Sequence, residues 1–356
     1  TCGTYGYKCI SAIAQNISNA IVRKLLQCGA HKCVSFVDDL LIKHKPNATI
    51  AEMKRDIENL FQICNDFQVL LHPEKTYLFV DEVEYLGYRF NQQGTEPQKT
   101  YLNKILKFHR PLTKKQIKSY LGVIQYISRF IYKQAHLAQT LNTLLQANSK
   151  QTWGKEQDIA FDTLQHYLSN IKLLHHPTDN GIFLIQTDAS RFALGAVLYQ
   201  QQYDHTQKKH VWKIIEFYSK LVDKNLLHHP IQVKECLAIT HAMSHWRHFL
   251  LRKLFYVDTD HKNLINLFDD DENSAPAMRK QQIFITMKWV AMPFNFKIAH
   301  LEGSKLILAD YLSRDGAKYN QYTIDEISLH KPEIFVQSEQ FAYARALQQL
   351  SDYKSY

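Results

Sequence analysis

Residues 182–201, IFLIQTDASRFALGAVLYQQ, read as two largely apolar strands about a short turn, and the first of them carries Asp188. An ionised carboxylate taken out of water costs several kcal/mol unless a partner compensates it. Any fold that accepts this hairpin must therefore bring a cation to Asp188 or leave that strand end wet.

The chain has 356 residues, room for two or three domains, and 45% of them are hydrophobic, which suits packed cores rather than a disordered chain. No apolar run approaches the roughly 18 residues of a membrane span, and the opening TCGTYGYKCI lacks the regions of a signal peptide. The expectation is no membrane association. Six cysteines (2, 9, 28, 33, 64 and 236) form no C-x-x-C pair, which fits reduced thiols in an intracellular compartment. Cys28, His31 and Cys33 lie close together without a fourth ligand at zinc-finger spacing.

The net charge of +9 is unevenly spread. Between Glu96 and Glu156 there is no acidic residue, while Lys99, Lys104, Lys107, Arg110, Lys114, Lys115, Lys118, Arg129, Lys133, Lys150 and Lys155 are all basic. Tyr101, Phe108, Tyr120, Tyr126, Phe130 and Tyr132 are interleaved with them. Such a stretch suits a polyphosphate backbone, where each neutralised phosphate releases counterions. The competing reading is a solubilising helix face, although such faces usually mix signs.

Residues 8–30 have helical spacing, CVSFVDDLLIK reads as strand, tight turn and strand, and a helix is expected from Ala48 to about Phe67. VEYLGYRF reads as one strand closed by a turn at NQQGTEP. From Pro97 to Gln146 the pattern is helical, broken at Pro111, and NSKQTWGK marks a boundary before a helix over 156–168. Strands are then expected at 182–188, 193–200, 211–219 and 254–259, with a helix over 231–250 and more helix and strand to about 313. That order suggests a mixed α/β domain. The divisions are 1–96, 97–150, a connection at 151–177, 178–316, and a tail at 317–356.

Asp188, Glu235, Asp260 and Asp310 stand where strand ends and helix faces are expected. Singly, each has an ordinary explanation: a helix cap for Asp310, a solvated helix position for Glu235, an Asx turn for Asp260. Four converging carboxylates would instead hold two Mg²⁺ ions about 4 Å apart, an apparatus for in-line phosphodiester hydrolysis. His241, His245 and His248 share one helical face and could clasp a metal, though packing is the simpler role. Trp246 and Trp289 are expected in the core. DDDEN at 269–273 is expected to be solvated loop.

LIQTDASRFALGAVLYQ, VKECLAITHAMSHWRHFL, YVDTDHKNL and IAHLEGSKLILADYLSR resemble the ribonuclease H domain of gypsy-type LTR retrotransposons. FVDDLLI, HPEKTYLFVDEVEYLGYRFNQQG and KSYLGVIQYISRFI resemble, in order, the palm, primer grip and thumb of the same family's reverse transcriptase. The resemblance covers about residues 5–315. It implies a fold class of mixed α/β: a partial palm, a helical thumb, and a ribonuclease H-like domain with a mixed five-stranded sheet. It also implies Asp188, Glu235, Asp260 and Asp310 as ligands of Mg²⁺, two ions per site, with Mn²⁺ as a substitute. The D, E, D, D order favours hybrid cleavage over the D, D, E order of strand-transfer enzymes. His300, expected in the loop ten residues before Asp310, matches a histidine proposed to move protons in retroviral relatives.

In the first domain the resemblance makes Asp38 a metal ligand and Asp39 its support, with Phe36 in place of the usual tyrosine. Lys75 would protonate pyrophosphate, and Tyr85, Leu86 and Gly87 would form the primer grip. Gly6 and Gln15 would contact nucleotide and template, with Ser11 standing where proline is usual. Lys114, Lys115, Lys118 and Arg129 would bind the duplex backbone. Two-metal polymerisation needs a further aspartate from an earlier palm strand, so polymerisation is expected only if an upstream segment supplies it. The implied partners are RNA–DNA hybrid and DNA, dNTPs on the same condition, and other Pol and Gag products. The implied setting is a cytoplasmic virus-like particle or the nucleus. A second hypothesis is a degenerate or domesticated copy that only binds nucleic acid.

Overall fold

Apolar residues at helical steps form α1 (Ile10–Gln27), which buries Ile21 and Leu25. In the computed structural model of the protein the described residues are 9–45, 47–131, 134–146, 152–171, 173–204, 208–268 and 282–301. They fall into two compact units, 1–92 and 93–356.

In the first unit, β1 (Lys32–Phe36) pairs antiparallel with β2 (Asp39–Lys43), leaving Val37 and Asp38 as a two-residue turn. Val37 has φ +53°, a region that β-branched residues avoid, so the turn is strained. Gln15 on α1 holds it: its Oε1 accepts from the Val37 amide at 2.8 Å. Helix α2 (Ile50–Asp66) starts in a capping box, because Thr49 and Glu52 satisfy each other's amide. Its Leu60, Ile63 and Cys64 pack with Ile21, Leu25 and Cys33 into the core of this unit.

VEYLGYRF is not one strand. It is a hairpin of β3 (Val83–Tyr85) and β4 (Tyr88–Phe90), in which Leu86 and Gly87 both take positive φ, as a two-residue primed turn requires.

In the second unit, GTEP, expected as a turn, is strand β5 (Gly94–Pro97), paired antiparallel with the short β6 (Leu174–His175). Gly94 permits this approach, since a Cβ there would collide with the Leu174 carbonyl. The acid-free stretch forms α3 (Lys99–Leu106), α4 (Lys114–Tyr126) and α5 (Gln134–Asn142). Thr113 and Gln116 make a capping box at the start of α4. Ile117, Tyr120, Leu121 and Ile124 form its buried face, and Tyr120 meets Phe161 of α6 (Lys155–Ser169) at 5.1 Å between ring centroids. The helix expected to continue through SRF changes there to a 3-10 turn over Ser128–Phe130.

A five-stranded sheet follows, built from β7 (Phe183–Ala189), β8 (Ala193–Asp204), β9 (Lys209–Leu221), β10 (Leu254–Thr259) and β11 (Asn295–His300). The strand order is β11-β10-β7-β8-β9. β7, β8 and β9 are antiparallel neighbours, whereas β10 runs parallel to both β7 and β11. Helix α7 (Ile231–His245) lays Val233, Cys236, Ile239 and Met243 on Phe183, Ile185, Phe255 and Val257. The helix expected to reach residue 250 breaks at the fully buried Trp246, and Arg247–Leu250 forms the separate α8. Next come α9 (Lys262–Phe268) and α10 (Gln282–Ala291). Trp289, expected in the core, is 69% exposed, because α10 turns Phe284, Met287 and Ala291 inward instead.

Glu216 of β9, 7% exposed, joins the helices to this sheet. Its Oε2 accepts from Arg129 Nη2 at 3.1 Å, and its Oε1 lies 3.2 Å from His245 Nε2. A double-mutant cycle with Glu216→Gln and Arg129→Ala, read by urea unfolding, should give a coupling of about 1 kcal/mol, discounted for the partly exposed guanidinium. A coupling near zero would make the contact geometric only.

Candidate metal centre

Strand register brings two of the carboxylates to one place. β10 is parallel to β7 with Asp258 opposite Gln186, so two residues further on Asp260 comes level with Asp188 at the carboxyl edge of the sheet. On the other side of Asp188 stands Gly195 of β8, which has no side chain to crowd the carboxylate. Glu235 arrives from the second turn of α7, and its Oε1 accepts from the Ala189 amide at 2.9 Å.

Asp188 is 2% exposed and Glu235 1%. Burial, then the charges of Asp188 and Asp260, push the Glu235 carboxyl well above the usual carboxylate range, against the pull of the Ala189 amide. The Asp188 carboxyl lies close enough to Glu235 to add to that rise through their side-chain contact. Among the described residues no donor reaches Glu235 Oε2, a buried oxygen. One ligand atom each from Glu235, Asp260 and His261 lie within 4.8 Å of one another. A buried acceptor without a donor, beside two further ligand atoms and Asp188, fits a divalent cation in chemistry and spacing.

His261 is the residue that sequence reasoning missed. Within YVDTDHKNL it is an ordinary histidine after an aspartate, and only the fold brings it to Glu235. His300 is not in a loop: it is the last residue of β11, opposite Thr259, and so stands at the same sheet edge one strand over. Asp310 and Gly6 lie outside the described residues, as does DDDEN. His241, His245 and His248 do not gather, and His245 turns to Glu216. Among the described residues the only cluster of three possible ligands is the one at Glu235.

In the first unit, Asp38 is exposed in the strained turn and Asp39 begins β2. Burial raises the Tyr85 hydroxyl pKa and the charge of Asp39 adds to it, so the Leu86–Gly87 hairpin lies near the aspartate pair. Lys75 is exposed at the end of a 3-10 turn, Pro73–Lys75. Lys114, Lys115 and Lys118 are exposed on α4, and Lys114 Nζ donates to the Gln146 carbonyl at 3.2 Å.

Residues 153–257 match the family described as "RNase H-like domain found in reverse transcriptase", and residues 4–90 match "Reverse transcriptase (RNA-dependent DNA polymerase)". The chain carries a reverse transcriptase domain and an RNase H-like domain. It is 29% identical over 284 residues, 79% of its length, to the Transposon Tf2-3 polyprotein of Schizosaccharomyces pombe. It is 28% identical over 313 residues to the Tf2-7 polyprotein of the same yeast. It spans about a fifth of the length of either polyprotein, 20% and 22%. A foamy viral protease-reverse transcriptase in complex with RNA/DNA hybrid shares the fold, with TM-score 0.66 and 17% identity over 87% of this chain and 40% of that one. The same viral protein in complex with dsDNA gives TM-score 0.65 and 16% identity over 85% and 60%.

In the RNase H-like domain the like charges at the sheet edge make a test independent of turnover. Glu235→Gln should raise the melting temperature of the EDTA-treated protein by a few degrees, an effect of about 1 kcal/mol. It should also shrink the further rise that Mg²⁺ gives the wild type. Equal melting of the two proteins with and without Mg²⁺ would contradict the electrostatic account.

Proposed function

We propose that this chain is the reverse transcriptase and ribonuclease H portion of a gypsy-type LTR retrotransposon polyprotein, and that its RNase H-like domain hydrolyses the RNA strand of RNA–DNA hybrids. The observation that carries this reading is the meeting of Asp188, Glu235 and Asp260 at the carboxyl edge of the sheet, with one buried carboxylate oxygen that no donor among the described residues reaches. Asp310 is the fourth expected ligand.

Bound Mg²⁺, or Mn²⁺ in its place, would neutralise the phosphodiester and activate water for attack. The chain's own groups do the positioning. The Ala189 amide holds one oxygen of Glu235, which fixes the aim of the other. Asp188 lies on β7 and Asp260 directly follows the last residue of the neighbouring parallel strand β10, so the sheet sets where both begin. His300, on the next strand end, is the group suited to moving a proton near neutral pH. The exposed Lys114, Lys115 and Lys118 would take phosphates, with selection by helix shape and 2′-hydroxyls rather than by base. Arg129 is committed to Glu216 and is the least free of the four cations.

In the reverse transcriptase domain, Asp38 is the metal ligand, Asp39 its support and Lys75 the proton donor to pyrophosphate. Gly6, Gln15, Tyr85, Leu86 and Gly87 would meet nucleotide, template and primer, and dNTPs would be substrates where a further aspartate is supplied. Other Pol and Gag products are the expected partners, in an intracellular particle.

With a labelled hybrid and Mg²⁺, Asp188→Asn should lower cleavage by more than about a hundred-fold while circular dichroism and melting stay those of a folded domain. Cleavage that survives the change would refute the ligand assignment. Wild-type binding without cleavage would leave a nucleic-acid-binding role alone.

A further inference from the structure

His261 sits where β10 gives way to α9, and its backbone is anchored on both sides. Its amide donates to Thr259 Oγ1 at 3.4 Å, and its carbonyl accepts from the Leu264 amide at 3.0 Å. The imidazole is thereby held against the acids: Nδ1 lies 3.5 Å from Asp260 Oδ1, and one of its nitrogens is within 4.8 Å of a Glu235 oxygen.

We propose that His261 is itself a ligand on the Glu235–Asp260 side of the nuclease site, which makes the site a mixed nitrogen and oxygen centre with a built-in preference for Mn²⁺ over Mg²⁺. The inference rests on the metal-centre reading above and goes beyond the all-carboxylate set.

Three observations carry it. First, neighbouring ligands around an octahedral ion with bonds of about 2.1 Å are about 3 Å apart, so the 3.5 Å between His261 and Asp260 is closed by a small side-chain adjustment. At that length the contact is poor as a hydrogen bond, which weakens the alternative of a simple ion pair. Second, Glu235 Oε2 is a buried acceptor that no donor among the described residues reaches, so the cluster contains an unpartnered buried atom as well as neighbouring acids. Third, Asp260 and His261 are partly exposed, with side chains 22% and 25% accessible, while Glu235 closes the inner side. An ion can enter from solvent and keep water on its outer face.

The metal preference follows from ligand chemistry. Mg²⁺ takes oxygen ligands and gives up its water reluctantly, whereas imidazole nitrogen suits the transition metals. Mn²⁺ gains from the added nitrogen and Mg²⁺ does not.

Mn²⁺ and Mg²⁺ are titrated separately into the full chain by calorimetry, with free Mn²⁺ followed by electron paramagnetic resonance. The proteins are the wild type, His261→Ala, His261→Asn and Glu235→Gln. The asparagine variant keeps a polar group at the start of α9 and guards against a folding defect. Both His261 variants should weaken Mn²⁺ binding about 10- to 100-fold and change Mg²⁺ binding by less than about two-fold. Glu235→Gln should weaken both ions. If Mn²⁺ binds the His261 variants as it binds the wild type while Glu235→Gln loses both ions, the histidine is not a ligand and the metal centre stands. Equal loss of both ions in the His261 variants would make the residue a support for Asp260 and overturn the preference. No effect of Glu235→Gln on either ion would overturn the metal centre itself.

Discussion

Like charges forced together by strand register are the constraint around which the second unit is organised. Asp188 and Glu235 are almost sealed from water, and Asp260 comes level with Asp188 because β10 runs parallel to β7. Sliding the pairing by one residue would turn every side chain of β10 to the other face and bury the wrong set, so the core formed by Phe255, Val257, Phe183 and Ile185 keeps the acids in place. Without a cation, burial and the neighbouring charges of Asp188 and Asp260 push the Glu235 carboxyl well above the usual carboxylate range. Hydrophobic packing from α7 thus holds a local arrangement that would not persist alone, a stability cost concentrated where chemistry is expected.

The same register separates two aspartates on one strand. Asp258 and Asp260 are two residues apart and point to the same face of β10. Asp258 is 2% exposed, and burial pushes its carboxyl up to about 6 against the pull of Gln186, which donates to it at 3.5 Å. Its charge in turn helps to raise the buried Tyr199 hydroxyl. Asp260, past the last strand residue, reaches solvent and faces Glu235 and His261. One pleat of depth separates a carboxyl whose pKa is raised by burial from one open to an ion.

Strands and helices of the sheet domain were legible because their signals are local: alternation or unbroken apolar runs for β7 and β8, and helical spacing for α7. What failed depended on backbone angles or on tertiary neighbours. The hairpin within VEYLGYRF turns on a leucine with positive φ, against its own preference. GTEP is a strand only because a distant segment, Leu174–His175, lies close enough to exclude a side chain at Gly94. Trp289 reads as core by type and spacing, yet α10 has enough smaller apolar residues to fill its buried face. Asp188 could be picked out as a charged residue in an apolar setting, whereas Glu235 stood out only through the resemblance. His261 could not, since a histidine after an aspartate at a strand end means nothing until the strand beside it and the helix above it are known.

A segment with no acid of its own cannot neutralise itself, and its arginines find acids further along the chain. Arg110 pairs with Asp158 at 3.0 Å and Arg129 with Glu216 at 3.1 Å. The Arg110 guanidinium also lies over the Trp153 ring. These pairs, with Gln165 donating to the Ile105 carbonyl, lace the helices over 99–142 to α6 and β9 within one compact unit. Arginine suits this work because its planar fork gives directed hydrogen bonds and stacks on aromatic rings, whereas lysine is a hydrated point charge on a flexible stem. The division is visible on α4, where Lys114, Lys115 and Lys118 stay exposed. Docking has drawn the arginines into ion pairs while the α4 lysines stay exposed, and it is exposed cations that give a surface its salt-dependent attraction for phosphate.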